Sequence, residues 1–140
     1  PGKRTYTSFE LARAWEGDLA SQVMSVFACT ILYLFMAEDL LPQCTLPKDN
    51  MYRFWLEFYT LDEYRNHCAL AIALVNKVTE HKSERELAKL QEIFACACNY
   101  EILQWQDMYY NMTTWPLDEI FPPKFTTVEK FELDVKNETK

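Results

Sequence analysis

Leu87, Leu90, Phe94, Cys98, Glu101, Trp105 and Met108 follow one another at steps of three and four residues, so in a helix all seven lie along one side. This row constrains the chain more than any other feature. It requires an amphipathic helix of about six turns, and it sets a carboxylate, Glu101, in the middle of the apolar seam. Other segments carry the same period, and the chain has only two glycines, too few for the closely spaced turns of a small all-β domain. An all-α architecture is expected. With 140 residues, 49% of them apolar and 15% aromatic, there is material for one core.

Helix starts are read from Ser/Thr-x-x-Glu patterns, in which a hydroxyl and a glutamate cap each other's backbone amides. They occur at Thr7 to Glu10, Thr60 to Glu63 and Ser83 to Glu86. The chain then reads as a short helix over 8–16 stopped by Gly17, a long one over 18–41, a break at "LPQCTLP", and helices over 48–59, 61–81 and 84–110. Beyond Trp115 the character changes. Pro116, Pro122 and Pro123 forbid a continuous helix, and "KFELDVK" alternates apolar and charged residues. A helical unit over 1–115 and an extended arm over 116–140 are expected. The opening Pro1, with no methionine before it, suggests a processed or truncated chain.

Several function classes are set aside. The net charge of −7 gives little purchase on nucleic acid or an anionic membrane. The apolar run from Val23 to Ala37 reads as a buried helix too short to span a bilayer. Cys29, Cys44, Cys68, Cys96 and Cys98 are odd in number and lack Cys-x-x-Cys spacing, so reduced thiols and a cytoplasmic location are expected. Glu63 and His67 are spaced i, i+4, unlike the Glu-x-x-His of di-iron bundles. No metal and no cofactor is expected, and His81 falls at a helix end with a structural role.

Glu101 has two readings. Burial disfavours its charged form, which is the condition for a general acid or base; alternatively the helix turns it to solvent or to an arginine. Cys29 has Tyr33 at i+4 on an almost wholly apolar helix. The pair suits a nucleophile beside a substrate-facing aromatic, although a buried thiol also serves as a small apolar filler. Tyr52, Trp55 and Tyr59 share a face and read as core.

Taken in order, "TYTSFELARAWEGDLASQVMSVFACTILYLFMAEDLL", "YRFWLEFYTLDEY" and "LAKLQEIFACACNYEILQWQDMYY" resemble the second half of the TenA family, the thiaminase II or aminopyrimidine aminohydrolase enzymes. The resemblance runs from about Thr5 to Trp115 and lies in the ordered set of segments. It implies a haem-oxygenase-like helical bundle that hydrolyses thiamin or its aminopyrimidine breakdown products and releases hydroxymethylpyrimidine. On this resemblance Cys29 is the nucleophile, Glu101 the acid/base, and Tyr6, Tyr33 and Tyr59 hold the flat heterocycle in a small dry pocket. A homo-oligomer is also expected.

One departure accompanies the resemblance. Family members carry a helical half before this one, and an aspartate from it grips the pyrimidine; no residue here takes that role. An N-terminal half or a second chain is therefore expected, without which helices apolar on more than one face would be exposed. The competing reading is a non-catalytic helical binding or interaction module on the same scaffold.

Overall fold

The computed structural model describes residues 2–110. It contains α1 (Gly2–Trp15), α2 (Leu19–Leu40), α3 (Met51–Tyr59), α4 (Asp62–Thr79) and α5 (Glu84–Tyr109), with a 3-10 turn at Leu41–Gln43 after α2. No strand occurs among the described residues, in line with the all-α expectation. The arm expected over 116–140 lies outside the described residues.

The joints follow from local chemistry. Gly17 turns α1 into α2 with φ of 72°, the left-handed region where a Cβ is costly. Asp18 caps α2, its Oδ2 accepting from the Ser21 amide at 3.1 Å and the Ser21 hydroxyl at 2.6 Å. These bonds, with Lys82 nearby, hold its carboxyl below the usual carboxylate range. Asn50 caps α3 by accepting from the Tyr52 amide at 2.9 Å, and Ser83 with Glu86 forms the expected reciprocal cap on α5.

Two of the three expected caps are not caps. The first helix begins at Gly2, whose amide donates to the Asp107 carboxylate on α5, so Thr7 and Glu10 lie inside α1. Thr60 closes α3 instead of opening α4, its hydroxyl donating to the Glu57 carbonyl at 2.9 Å, and α4 follows Leu61 without a side-chain cap.

Helix α2 is the axis of the bundle and packs against α1, α3, α4 and α5. Ala20, Ser21, Ser25, Ala28 and Ala37 are buried along it, and such small side chains let neighbouring helices approach closely. The Ser25 hydroxyl donates to the Gln22 carbonyl at 2.8 Å, which removes the penalty of burying it. Ala20 and Met24 pack on Leu90 and Ile93 of α5, Ala28 on Tyr6 and Ala97, and Ile31 and Leu34 on Cys68 of α4. The Tyr64 hydroxyl and the Cys68 thiol both donate to the Thr30 carbonyl, at 2.8 and 3.5 Å.

Two expectations change. Helix α2 is buried on one side only: Val26, Phe35 and Leu40 are exposed. The helical stretch Leu19–Gln43, at 25 residues, is also long and apolar enough to cross a membrane, because the polar residues that interrupt it are small and few. Its packing against four other helices gives it the place of a core helix. On α5 the seam is buried at Leu90 and Glu101 and half-buried at Phe94 and Cys98, whereas Trp105 and Met108 are exposed.

Candidate active site

Helix α1 supplies Tyr6 and, one turn later, Glu10. The Tyr6 hydroxyl donates to the Ser25 carbonyl at 3.3 Å, which pins α1 against α2 one turn before Cys29. The next turn of α2 carries Tyr33, whose hydroxyl donates to Glu101 Oε2 at 3.3 Å. Glu101 itself is 4% exposed, so the reading that turned it to solvent or to an arginine fails. Its Oε1 is buried with no hydrogen-bond partner. A buried, half-satisfied carboxylate is costly, and this one presents an acceptor to whatever enters the site.

The electrostatics agree with this crowding. Burial raises the Tyr6 and Tyr33 hydroxyls well above the ordinary phenol range, and the Glu101 charge raises both further. The Cys29 thiol is pushed up to about 12, first by burial and then by the Glu101 charge, with Glu10 adding to it. Cys29 is nonetheless exposed. The thiol and the Tyr6 hydroxyl are near enough to feel Glu101, but neither reaches the geometry of a hydrogen bond to Oε1.

An aromatic wall backs the acid. Tyr33 lies 5.1 Å from Tyr59, 5.7 Å from Trp55 and 6.2 Å from Trp105 between ring centroids; Trp55 and Trp105 meet edge to face at 5.7 Å. Tyr59 continues the wall to Tyr64 at 4.8 Å. Burial raises the Tyr59 hydroxyl, and the charge on Cys29 contributes next. Tyr52, expected on the same face as Trp55 and Tyr59, is 70% exposed.

All five residues read from the sequence are therefore neighbours: Tyr6, Cys29, Tyr33, Tyr59 and Glu101. The dry pocket is not what surrounds them. An apolar groove of about 820 Å³ runs along α2 and α5 past Leu32, Tyr33, Met36, Glu101, Ile102 and Trp105, and Cys29, Tyr6 and Tyr59 are outside its lining. The acid faces the groove, while the thiol opens beside it. Three contributors escaped the sequence reading. Glu10 is visible only as i+4 from Tyr6, Tyr100 stacks on Tyr6 at 5.6 Å, and Cys98, one turn before Glu101, lines the groove. Among the described residues no cluster of three or more His, Cys, Asp or Glu is placed to hold a metal ion.

Residues 1–112 match the TENA/THI-4/PQQC family. The chain belongs to that family. The helices accordingly represent its haem-oxygenase-like, all-α fold. The chain is 31% identical over 107 residues to an aminopyrimidine aminohydrolase of Helicobacter pylori, covering 76% of this chain and 49% of that protein. It is 29% identical over 110 residues to an aminopyrimidine aminohydrolase of Halalkalibacterium halodurans, covering 79% and 49%. An uncharacterized protein of Haemophilus influenzae is 25% identical over 101 residues, covering 72% and 47%. The TENA/THI-4/PQQC chain described here thus spans about half the length of the curated relatives it matches. No solved structure gives a significant match.

Proposed function

We propose that this chain carries the nucleophile and the acid of a thiaminase II-like hydrolase that cleaves an aminopyrimidine or thiamin and releases hydroxymethylpyrimidine. The observation that carries the reading is Glu101: buried, held by Tyr33, beside the Cys29 thiol, and with Oε1 free of any protein partner. The names of the relatives point to the same substrate class.

The chemistry follows from the proton inventory. A thiol pushed up to about 12 is almost wholly protonated at neutral pH, so Cys29 cannot attack as a standing thiolate. The Glu101 carboxylate takes the thiol proton as Sγ adds to an electron-poor ring carbon, a general-base step. Glu101, now a carboxylic acid, returns that proton to the departing amine. The C–N bond at the methylene carbon breaks, Glu101 takes a proton from the water that adds there, and the Cys29 sulfur leaves and recovers that proton, which restores the ring and the thiol. In sum, an aminomethyl group and water give a hydroxymethyl group and ammonia. Tyr33, Tyr59, Trp55 and Trp105 offer aromatic faces to a flat heterocycle, and Tyr6 fixes α1 against α2.

The site is open at Cys29, and the chain spans half of its relatives' length. We therefore assign the remaining wall to an N-terminal segment, a second chain or another copy in a homo-oligomer, in a cytoplasmic setting. The raised Cys29 thiol also favours a second reading, a pyrimidine-binding module without turnover. One experiment separates the two. The purified chain is incubated with 4-amino-5-aminomethyl-2-methylpyrimidine and with thiamin, alone and mixed with the part of the Helicobacter pylori relative that the match leaves uncovered, and hydroxymethylpyrimidine is measured. Turnover abolished by Cys29→Ala and cut about 100-fold or more by Glu101→Gln supports the hydrolase. Turnover indifferent to both removes these residues from the mechanism, and binding without turnover leaves the module.

A further inference from the structure

Glu10 is a half-buried acid that the mechanism above does not use. It lies one helical turn after Tyr6, and the Tyr6 hydroxyl is fixed to Ser25 on α2, so α1 turns this face towards the stretch of α2 that leads to Cys29. Its charge is felt by Tyr6 on its own helix and by Cys29 on α2. Burial, then the Glu101 charge, raises its own carboxyl. Among the described residues Glu10 has no ion pair, and Arg13, one turn later, pairs with Glu16 at 2.9 Å and lies over the Phe9 ring at 5.4 Å.

We propose that Glu10 is a specificity-determining residue, forming with Glu101 a two-carboxylate surround for Cys29 that selects ligands carrying positive charge beside the ring, such as a protonated amine or a quaternised ring nitrogen. This rests on the assignment of Cys29 and Glu101 made above and extends it to a substrate class. Two carboxylates set close to a thiol hold it protonated while the site is empty. A cation entering between them relieves their repulsion and stabilises the thiolate, so the substrate itself arms the nucleophile. A neutral heterocycle of the same shape gains neither effect.

Charged thiol reagents test this without requiring turnover. At low salt, modification of Cys29 by a cationic trimethylammonium-ethyl thiosulfonate, an anionic sulfonatoethyl thiosulfonate and a neutral methyl thiosulfonate is followed by peptide mass mapping. In the unaltered chain the cationic reagent should outpace the anionic one by roughly tenfold or more after normalisation to the neutral reagent. Glu10→Gln should cut that ratio several-fold and Glu10→Asp should keep it, while unchanged far-UV circular dichroism and melting temperature show that the fold is intact. A ratio near one in the unaltered chain, or one that Glu10→Gln leaves in place, overturns the proposal. Failure of the hydrolysis assay with the charge ratio as expected would instead count against Cys29 and Glu101 as catalysts and leave Glu10 as the selector of a binding site.

Discussion

The Tyr33 hydroxyl donates to Glu101 Oε2 across a sequence separation of 68 residues, at 3.3 Å. Among the described residues it is the one hydrogen bond between the helix bearing the thiol and the helix bearing the acid within the site, and it orients a carboxylate whose other oxygen has no partner among them.

Removing that bond should therefore disturb the acid before it disturbs the fold. Tyr33→Phe keeps the ring in the aromatic wall but leaves both Glu101 oxygens without a donor, a loss of about 1–3 kcal/mol in stability for a buried acceptor. Turnover of the aminopyrimidine should fall by about tenfold or more. Thermal melting and steady-state kinetics on the same preparation check the two effects. Unchanged kinetics would show that Tyr33 does not position the acid.

Alkaline pH should weaken the fold. Burial raises Cys29, Tyr6, Tyr33 and Tyr64 above their ordinary values, so the folded chain holds these protons more tightly than the unfolded one. The unfolded chain starts to release them near the ordinary thiol value of 9.0 and phenol value of 10.0, and stability declines as pH rises from there through the folded values. Below that window the stabilising contribution is complete. Melting temperature should fall steadily from about pH 9 upward, and Cys29→Ala should flatten the first part of the decline. A flat profile would contradict the burial of these groups.

The contact of Ala28 with Ala97 and Tyr6 sets how closely α2 approaches α5 and α1. Ala28 and Ala97 are both fully buried. Ala28→Leu inserts three carbons where there is no space and should cost about 1–3 kcal/mol. Because residue 28 adjoins the nucleophile, the wedge should also part Cys29 from Glu101. Cys29 alkylation faster than in the unaltered chain would report release of the thiol from the carboxylate's field.

The reciprocal cap of Ser83 and Glu86 starts α5, the helix that carries the acid. The Ser83 amide donates to Glu86 Oε2 at 2.8 Å, and the Glu86 amide donates to the Ser83 hydroxyl at 3.4 Å. The Ser83 hydroxyl, which also donates to Glu86 Oε2 at 2.7 Å, and after it the Ser83 amide hold the Glu86 carboxyl down to about 2. Ser83→Ala should cost about 1 kcal/mol, read as a lower melting temperature, with no change in the reactivity of Cys29, because the cap lies about five turns of α5 before Glu101.

The outcome for Glu10 and Glu101 shows what a sequence can and cannot disclose here. Glu101 stands out because a single acid interrupts a seven-residue row whose period is that of a helix, and periodicity is carried by the residues themselves. Glu10 was absorbed into a capping pattern with Thr7. The pattern is satisfied on paper, but Gly2 anchors to Asp107 and starts the helix early, so Glu10 lies in mid-helix and turns inward. The same tertiary override moves Thr60 from the start of α4 to the end of α3. Cys29 and Tyr33 were paired by their i, i+4 spacing and Tyr59 joined them through resemblance, while the proximity of all three needed coordinates. The openness of the site at Cys29 has no signature in residue order at all, since it depends on which faces of α2 find neighbours.

The left-handed turn at Gly17 joins two halves of the site in one short hairpin. Tyr6 meets Ser25 across a separation of only 19 residues, whereas Tyr33 waits 68 residues for Glu101. Closing the shorter loop is easier by about 1 kcal/mol of chain entropy. The sulfur and its tyrosine brace can thus assemble as a local unit, and the carboxylate that gives them chemistry docks last. A chain ending between α4 and α5 would keep the sulfur and lack its proton carrier.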